Sequence, residues 1–63
     1  MYSEYAVEVY DKETEAFLYQ VDIFESKKAA KQFIKKNPQR DGKYGILKIT
    51  YDEFGIEQST ERV

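Results

Sequence analysis

A chain of 63 residues without cysteine or histidine has no disulfide, no thiolate metal ligand and neither of the side chains most used as general base and strong nucleophile. Its net charge of −2, with 16% aromatic residues, is typical of a folded acidic protein rather than a disordered one. We expect a single small domain over residues 1–63 that is not an enzyme, binds no metal and needs no cofactor.

Two strands are predicted in the first third of the chain. Residues 5–10, YAVEVY, alternate with period 2, as a half-buried strand does. Residues 16–24, AFLYQVDIF, alternate again after the polar stretch 11–15. The spacing predicts a hairpin with a five-residue loop.

The register of this hairpin follows from its apolar residues. A slip of one residue would turn a whole strand inside out, so the apolar sets of both strands must face one core. The predicted pairs are Val9 with Phe17, Val7 with Tyr19 and Tyr5 with Val21.

An amphipathic helix is predicted next. Ser26 is typical of an N-cap, and the helix should end near Asn37 because Pro38 disfavours the α conformation in the residue before it. Ala29, Ala30, Phe33, Ile34 and Asn37 span an arc of about 140°. The remaining surface of the helix carries Gln32 and the lysines Lys27, Lys28, Lys31, Lys35 and Lys36.

Two further strands complete the prediction. After a loop over 38–45, residues 46–51, ILKITY, alternate, with Leu47, Ile49 and Tyr51 on one side. Residues 52–55, DEFG, form a turn in which Gly55 suits a positive φ, and IEQST supplies a short last strand.

The predicted fold is therefore α+β, in the order ββαββ, with a four-stranded antiparallel sheet and one amphipathic helix on one face. A right-handed crossover with strand one between strands two and three gives the sheet order 2-1-3-4. In this arrangement Phe33 and Ile34 pack onto Val7, Val9, Val21, Ile23, Leu47 and Ile49, and the other face of the sheet is left uncovered.

Positive charge is concentrated around the helix. Residues 27–43 hold seven of the ten basic residues and one acid, a net charge of +6, whereas the remainder carries −8. Such a run is either the solvated side of an amphipathic helix or a docking surface for an acidic partner. The candidate partner-binding residues on this basic helix are Lys27, Lys28, Lys31, Lys35, Lys36 and Arg40.

Nucleic acid is the alternative partner of the basic helix. Lysines make salt-sensitive phosphate contacts but discriminate poorly between bases. A sequence pI of about 5.0 also disfavours nucleic-acid binding by the whole domain. We therefore expect another protein as the leading partner and nonspecific nucleic-acid binding as the alternative.

The uncovered sheet face is a second candidate surface. It is either an ordinary solvated antiparallel face or a surface that binds a protein, including a second copy of this chain. A head-to-tail contact with the basic helix of a second copy and acidic mimicry of nucleic acid both fit its charges. The candidate residues here are Glu8, Tyr10, Leu18, Asp22, Ile46 and Lys48.

In composition and in the YDEFG turn, the chain resembles small accessory proteins of Gram-positive bacteria and their phages. This resemblance implies a small binder or inhibitor of a larger protein in the bacterial or phage-infected cytosol. The absence of cysteine, of a basic leader and of a long apolar run leads to the same expectation of a cytoplasmic protein without a membrane span.

Overall fold

In the computed structural model, residues 2–39 and 42–63 are described, and they form a four-stranded antiparallel sheet with a helix on one face. Along the chain the elements are β1 (Tyr2–Asp11), β2 (Phe17–Phe24), α1 (Lys27–Lys36), β3 (Gly42–Tyr51) and β4 (Glu57–Arg62). The strands are ordered β2-β1-β3-β4, which puts the long first strand inside the sheet. The predicted ββαββ fold and its sheet order are confirmed.

Asp11 organises the turn between β1 and β2. Its carboxylate accepts hydrogen bonds from the backbone amides of Glu13 and Thr14, at 2.8 and 2.9 Å. The Asp11 amide donates to the carbonyl of Ala16 at 2.9 Å, and Glu15 takes the left-handed conformation with φ 61°. The side chain of Asp11 thus closes the hairpin in the way of an Asx turn.

Two irregularities change the register of this hairpin. The pairing of β2 with β1 shifts twice, and Leu18 and Val21 are left without a partner of their own. These are β-bulges, which add a residue to one strand and bend it. The predicted pair of Val9 with Phe17 is therefore wrong, because Val9 lies opposite Tyr19. The other two pairs are corrected to Val7 with Asp22 and Tyr5 with Phe24.

The helix begins and ends where the sequence predicts. The Ser26 side chain accepts a hydrogen bond from the Ala29 amide at 3.1 Å, as an N-cap does. At the other end, the Asn37 amide donates to the carbonyls of Phe33 and Ile34, at 3.0 and 3.3 Å. The helix is ten residues long, or about 15 Å, and covers less than half the length of β3.

The core lies between this helix and the centre of the sheet. Val7, Ala30 and Ile46 form its buried cluster. Phe33 and Ile34 pack against that cluster, together with Tyr5, Phe24 and Tyr44. Of the residues that the sequence predicts beneath them, Val7 is in the cluster, whereas Ile23 pairs with Ala6 and faces away from it. The aromatic rings meet pairwise, Phe24 with Phe33 at 5.3 Å and Phe33 with Tyr44 at 6.3 Å between centroids. The apolar arc of α1 therefore faces the sheet.

The strand β3 has the opposite phase to the predicted one. Ile46 pairs with Val7 and lies under the helix, whereas Leu47 pairs with Ala6 on the far face. The prediction that Leu47, Ile49 and Tyr51 face the helix is wrong. Because ILKITY is apolar on both sides, alternation alone does not fix the phase. The strand also starts at Gly42, inside the stretch that the sequence predicts as a loop.

Asp52 organises the turn between β3 and β4. Its Oδ1 accepts from the amides of Phe54 and Ile56, both at 2.9 Å, and its Oδ2 accepts from the Gln58 side chain at 2.9 Å. Gly55 has φ 81°, a conformation that glycine adopts without steric cost. The predicted turn at 52–55 and the positive φ of Gly55 are confirmed.

The buried part of the described chain is small. Seven hydrophobic residues are buried. The largest fully buried side chains are those of Val7 and Val9. At roughly 0.05 to 0.15 kcal/mol per residue, a domain of this length is stable by about 3 to 9 kcal/mol. The loss of one core contact is therefore a large fraction of the total.

Truncating Val7 tests this core. We expect Val7→Ala to lower the free energy of unfolding by about 2 kcal/mol, because it removes two buried carbons and leaves a cavity. Val21→Ala makes the same change at a bulged residue that is 37% exposed, and it should cost less than about 0.5 kcal/mol. Urea unfolding of both variants measures the difference, and equal losses would contradict this location of the core.

The Asp11 turn predicts a pH dependence. Hydrogen bonds from the amides of Thr14 and Glu13 lower the pKa of Asp11 from its ordinary value of 3.8. The ionised turn therefore stabilises the fold at pH values above the unfolded pKa, and this contribution is lost as the pH falls through the lower folded pKa. We expect Asp11→Asn to lose stability less steeply than the wild type between about pH 5 and pH 2, measured by urea unfolding. If the free energy of unfolding falls equally steeply with pH in the wild type and in Asp11→Asn, this role of Asp11 is refuted.

Two candidate binding surfaces

The helix divides the sheet into a covered face and an open face. Directly paired residues of neighbouring strands point to the same side, and successive residues of a strand point to opposite sides. Since Val7 and Ile46 face the helix, the residues in phase with Ala6 and Leu47 lie on the side away from it. This open face comprises Tyr2, Glu4, Ala6, Glu8, Tyr10, Phe17, Gln20, Ile23, Lys43, Gly45, Leu47, Ile49, Tyr51, Glu57, Thr60 and Arg62.

Tyr10 is the centre of one end of the open face. Its ring meets Phe17 edge-on at 5.9 Å and has the Arg62 guanidinium 4.5 Å from its centroid. It lies so close to Gly45 that a Cβ there would come within 2.8 Å of the ring, so glycine makes this contact possible. The Tyr10 hydroxyl donates to Glu8 Oε1 at 2.5 Å. Burial, followed by this carboxylate, raises the pKa of Tyr10.

Tyr2 and Tyr51 form a second aromatic pair at the other end of the open face. Their rings stack with centroids 4.9 Å apart and an angle of 19° between planes. The carboxylate of Glu4 raises the pKa of Tyr51, first by hydrogen bonding to its hydroxyl. Each end of the face thus combines aromatic rings with a glutamate, and the middle is aliphatic.

The open face exposes apolar side chains to solvent. Phe17 is 55% exposed, Tyr2 54% and Ile23 40%. These three belong to a set of nine exposed large hydrophobic residues, against seven buried ones, in the described chain. The three side chains are spread over the face, with Phe17 near one end, Ile23 beside the middle and Tyr2 at the other end.

The structure places the predicted open-face residues on different sides of the sheet. Glu8 and Tyr10 lie on the open face, as predicted. Ile46 is in the core cluster under the helix, so its predicted placement is wrong. Lys48 and Asp22 pair with Tyr5 and Val7 and therefore lie on the covered side, which corrects their placement too. Leu18 is one of the two bulged residues of β2 and is 48% exposed.

Several open-face residues were missed by the sequence prediction. The alternation of residues 46–51 predicts Leu47, Ile49 and Tyr51 in the core, because it gives β3 the opposite phase. The signal that would have corrected the phase is the pattern of Tyr44 and Ile46, which continues the helix-facing set into the stretch predicted as a loop. Phe17 and Ile23 were missed because bulges leave no mark in the alternation of β2.

The second surface is the lysine face of α1, defined as Lys27, Lys28, Lys31, Lys35 and Lys36. All five side chains are exposed, as predicted from the helical arc. In residues 2–39 and 42–63, no carboxylate lies within ion-pair distance of any of them, whereas Lys43 pairs with Glu15. Arg40, the sixth residue predicted for this surface, lies outside the described residues.

The lysine face contains a shallow depression of about 390 Å³. It is lined by Lys27, Lys28, Lys31, Gln32 and Lys35. The lysines line it from one end of the helix to the other, since residues four apart lie about 6 Å apart along the axis. The depression itself is lined mainly by the aliphatic stems of these side chains.

The charges of the lysine face are unfavourable for the helix itself. Its first turn contains no acid, and Lys27 and Lys28 stand at the positive end of the helix dipole. Lys31 lies four residues from both Lys27 and Lys35, and each such like-charged pair costs about 0.2 to 0.5 kcal/mol. Lys35 and Lys36, in the last turn, are placed favourably.

Other kinds of site find little support in the part of the chain that the structure describes. No group of three or more carboxylates is arranged there to hold a metal ion. Asp11 and Asp52, in the two hairpin turns, are already committed to backbone hydrogen bonds. The described helix is also neither long nor apolar enough to cross a membrane.

No family model, curated protein or solved structure matches this chain. Function is therefore inferred from the chemistry of the lysine face and the open face.

The contact of Glu8 with Tyr10 yields a measurable pKa change. In Glu8→Gln, the pKa of Tyr10 should fall toward its ordinary value of 10.0 without reaching it, because burial, the larger cause, remains. NMR titration of isotope-labelled tyrosine rings resolves Tyr10 from the other five. Glu13→Gln, which changes an exposed acid of the first turn, is the control and should leave Tyr10 unchanged. If the pKa of Tyr10 is unaltered in Glu8→Gln, the Glu8 carboxylate does not raise it.

Proposed function

We propose that this protein is a noncatalytic binding module that docks its lysine face onto an acidic surface of another protein. The observation that supports it is the row of five exposed lysines with no carboxylate partner in the described chain. An acidic partner would neutralise the mutual repulsion of these lysines and favour association at long range.

Lysine gives this surface a broad rather than a narrow specificity. Each ammonium is a compact charge on a flexible stem with three donors, and it lacks the fixed fork by which arginine recognises planar anions. A protein surface with several carboxylates, spaced along about 12 Å of helix, fits such a row. The partner is then selected by its acidic patch more than by one anchoring contact.

Nonspecific nucleic-acid binding is the second candidate function, since the same row also suits phosphates. A protein partner is favoured because the chain as a whole has a net charge of −2 and a pI of about 5.0. Acidic mimicry of nucleic acid by the open face has less support, because that face combines its glutamates with Tyr2, Phe17, Ile23 and Arg62.

The resemblance to small accessory proteins of Gram-positive bacteria and phages is in keeping with this proposal. A chain of 63 residues that covers an acidic site on a larger cytoplasmic protein would act as an inhibitor or accessory subunit by occupying that site. Such a role needs a binding surface and no catalytic group.

Removing charge from the lysine face tests the proposal. The variant Lys27→Gln/Lys31→Gln/Lys35→Gln should bind the acidic partner between about threefold and about 150-fold more weakly, since each exposed charge pair contributes about 0.2 to 1 kcal/mol. Partners are first captured from nuclease-treated bacterial lysate with the wild type, and affinity is then measured with the purified partner. The matched control, Lys12→Gln/Lys43→Gln/Lys48→Gln, has the same net charge and should retain binding.

Two further measurements distinguish the candidate partners: the salt dependence of binding and the binding of a DNA duplex. Binding of the protein partner should weaken as salt rises. If the wild type instead captures no acidic protein and binds a DNA duplex at low salt, with the helix variant impaired, nucleic acid is the partner. Equal loss of binding in the helix variant and the control would overturn a specific role for the lysine face.

A further inference from the structure

We infer that the open face is covered by the open face of a second copy of this chain, so that two sheets pack face to face in a two-fold dimer. This inference is independent of the proposed function, because the lysine face lies on the opposite side of each copy. It concerns a surface whose exposed residues have no role in the binding proposed above.

The first support is the incomplete core. The helix covers one face of the sheet, and the described chain buries seven hydrophobic residues while nine large ones stay exposed. Three of the nine exposed residues lie on the open face, namely Phe17, Ile23 and Tyr2. Sheets commonly bury such a face against a second sheet, with side chains of the two inner faces interdigitating.

The second support is area. The molecule measures 38 × 24 × 15 Å, and the shortest dimension is about that of one sheet and one helix layer. An ellipse over the two longer dimensions covers about 700 Å² per copy, or roughly 1,400 Å² for two, which lies within the standard size of stable interfaces. This outline is the upper limit of the area that the open face can bury, and the limit is sufficient for a stable dimer.

The third support is charge. A two-fold interface brings one patch against itself, so that patch must be complementary to its own copy. The open face carries both signs, with Glu4 and Glu8 on β1, Lys43 on β3, and Glu57 and Arg62 on β4. Ala6 and Ile49 in its middle are already buried within one copy, so the apolar area that a dimer would bury comes from exposed side chains such as Phe17 and Ile23. Opposite charges of the two copies can pair around them.

A second copy is favoured over a different partner by the small size of the chain. Domains of this length commonly gain the stability that their core lacks through oligomerisation. A partner needed for stability must be present whenever the chain is made, and another copy meets this condition. A head-to-tail contact with the helix of the next copy is disfavoured, because it would cover the apolar groups of the open face with lysines.

Matched arginine substitutions test the dimer. Sedimentation equilibrium of the wild type at about 100 µM should give twice the monomer mass of 7.5 kDa, with dissociation on dilution. Phe17→Arg/Ile23→Arg places two charges in the open face of each copy, and we expect its dimer dissociation constant to rise at least about a hundredfold. Phe54→Arg/Ile56→Arg makes the same exchanges in the exposed second turn and should stay dimeric.

A second measurement does not depend on the folding of any variant. In a mixture of isotope-labelled and unlabelled wild type, NOEs between copies should join open-face groups such as the methyls of Ile23 and Leu47. Circular dichroism checks that the arginine variants remain folded.

Three outcomes would overturn the inference. The first is a wild type that is monomeric at about 100 µM. The second is NOEs between copies that involve the helix. The third is a dimer that dissociates in Lys27→Gln/Lys31→Gln/Lys35→Gln but survives Phe17→Arg/Ile23→Arg, which indicates the head-to-tail contact. If the lysine variant loses partner binding but remains dimeric, both the proposed function and the dimer are supported. Each of the two proposals can therefore be refuted without refuting the other.

Discussion

The contact of Ala30 with Val7 and Ile46 determines how the rest of this protein is arranged. It holds a ten-residue helix against the middle of a sheet whose strands are up to ten residues long. Small alanine side chains let the helix approach closely, and Phe33 and Ile34 fill the space around the contact. A helix so short can cover one face in part and the other not at all. The exposed surface of the sheet is therefore a direct result of chain length.

The charged side chains also differ between the helix side and the open face of the sheet. The apolar arc of α1 takes one side of the helix, and the lysines occupy the side that remains. On the open face, by contrast, acids are combined with tyrosines and with Arg62, so that Glu4 and Glu8 act on neighbouring phenols. One side of the molecule attracts anions, and the other combines both signs with apolar groups. The two surfaces therefore differ in charge and in polarity, and they lie on opposite sides of the sheet.

Local chemistry made much of the fold predictable. Ser26 and Asn37 mark the helix ends, and Gly55 marks the second turn, because each signal depends on a few adjacent atoms. The order of the strands followed from the handedness of the crossover. The phase of β3 was not predictable in the same way, since Ile46 and Leu47 are equally apolar and the choice between them depends on packing against Ala30. The bulges at Leu18 and Val21 likewise arise from the pairing of two strands, and for that reason the sequence does not predict Phe17 and Ile23 on the open face.

These bulges also make the two edges of the sheet unequal. The pairing of the outer strand β2 shifts register twice. The bulges distort the regular row of backbone amides and carbonyls with which an incoming strand would pair during fibril growth. At the opposite edge, the pairing of β4 with β3 has one register shift, between Thr50 and Tyr51, and every residue from Glu57 to Arg62 is exposed. The charged side chains of β4 add to the protection of this edge, and acid neutralises its two glutamates. At low pH the protection of β4 therefore weakens more than that of β2.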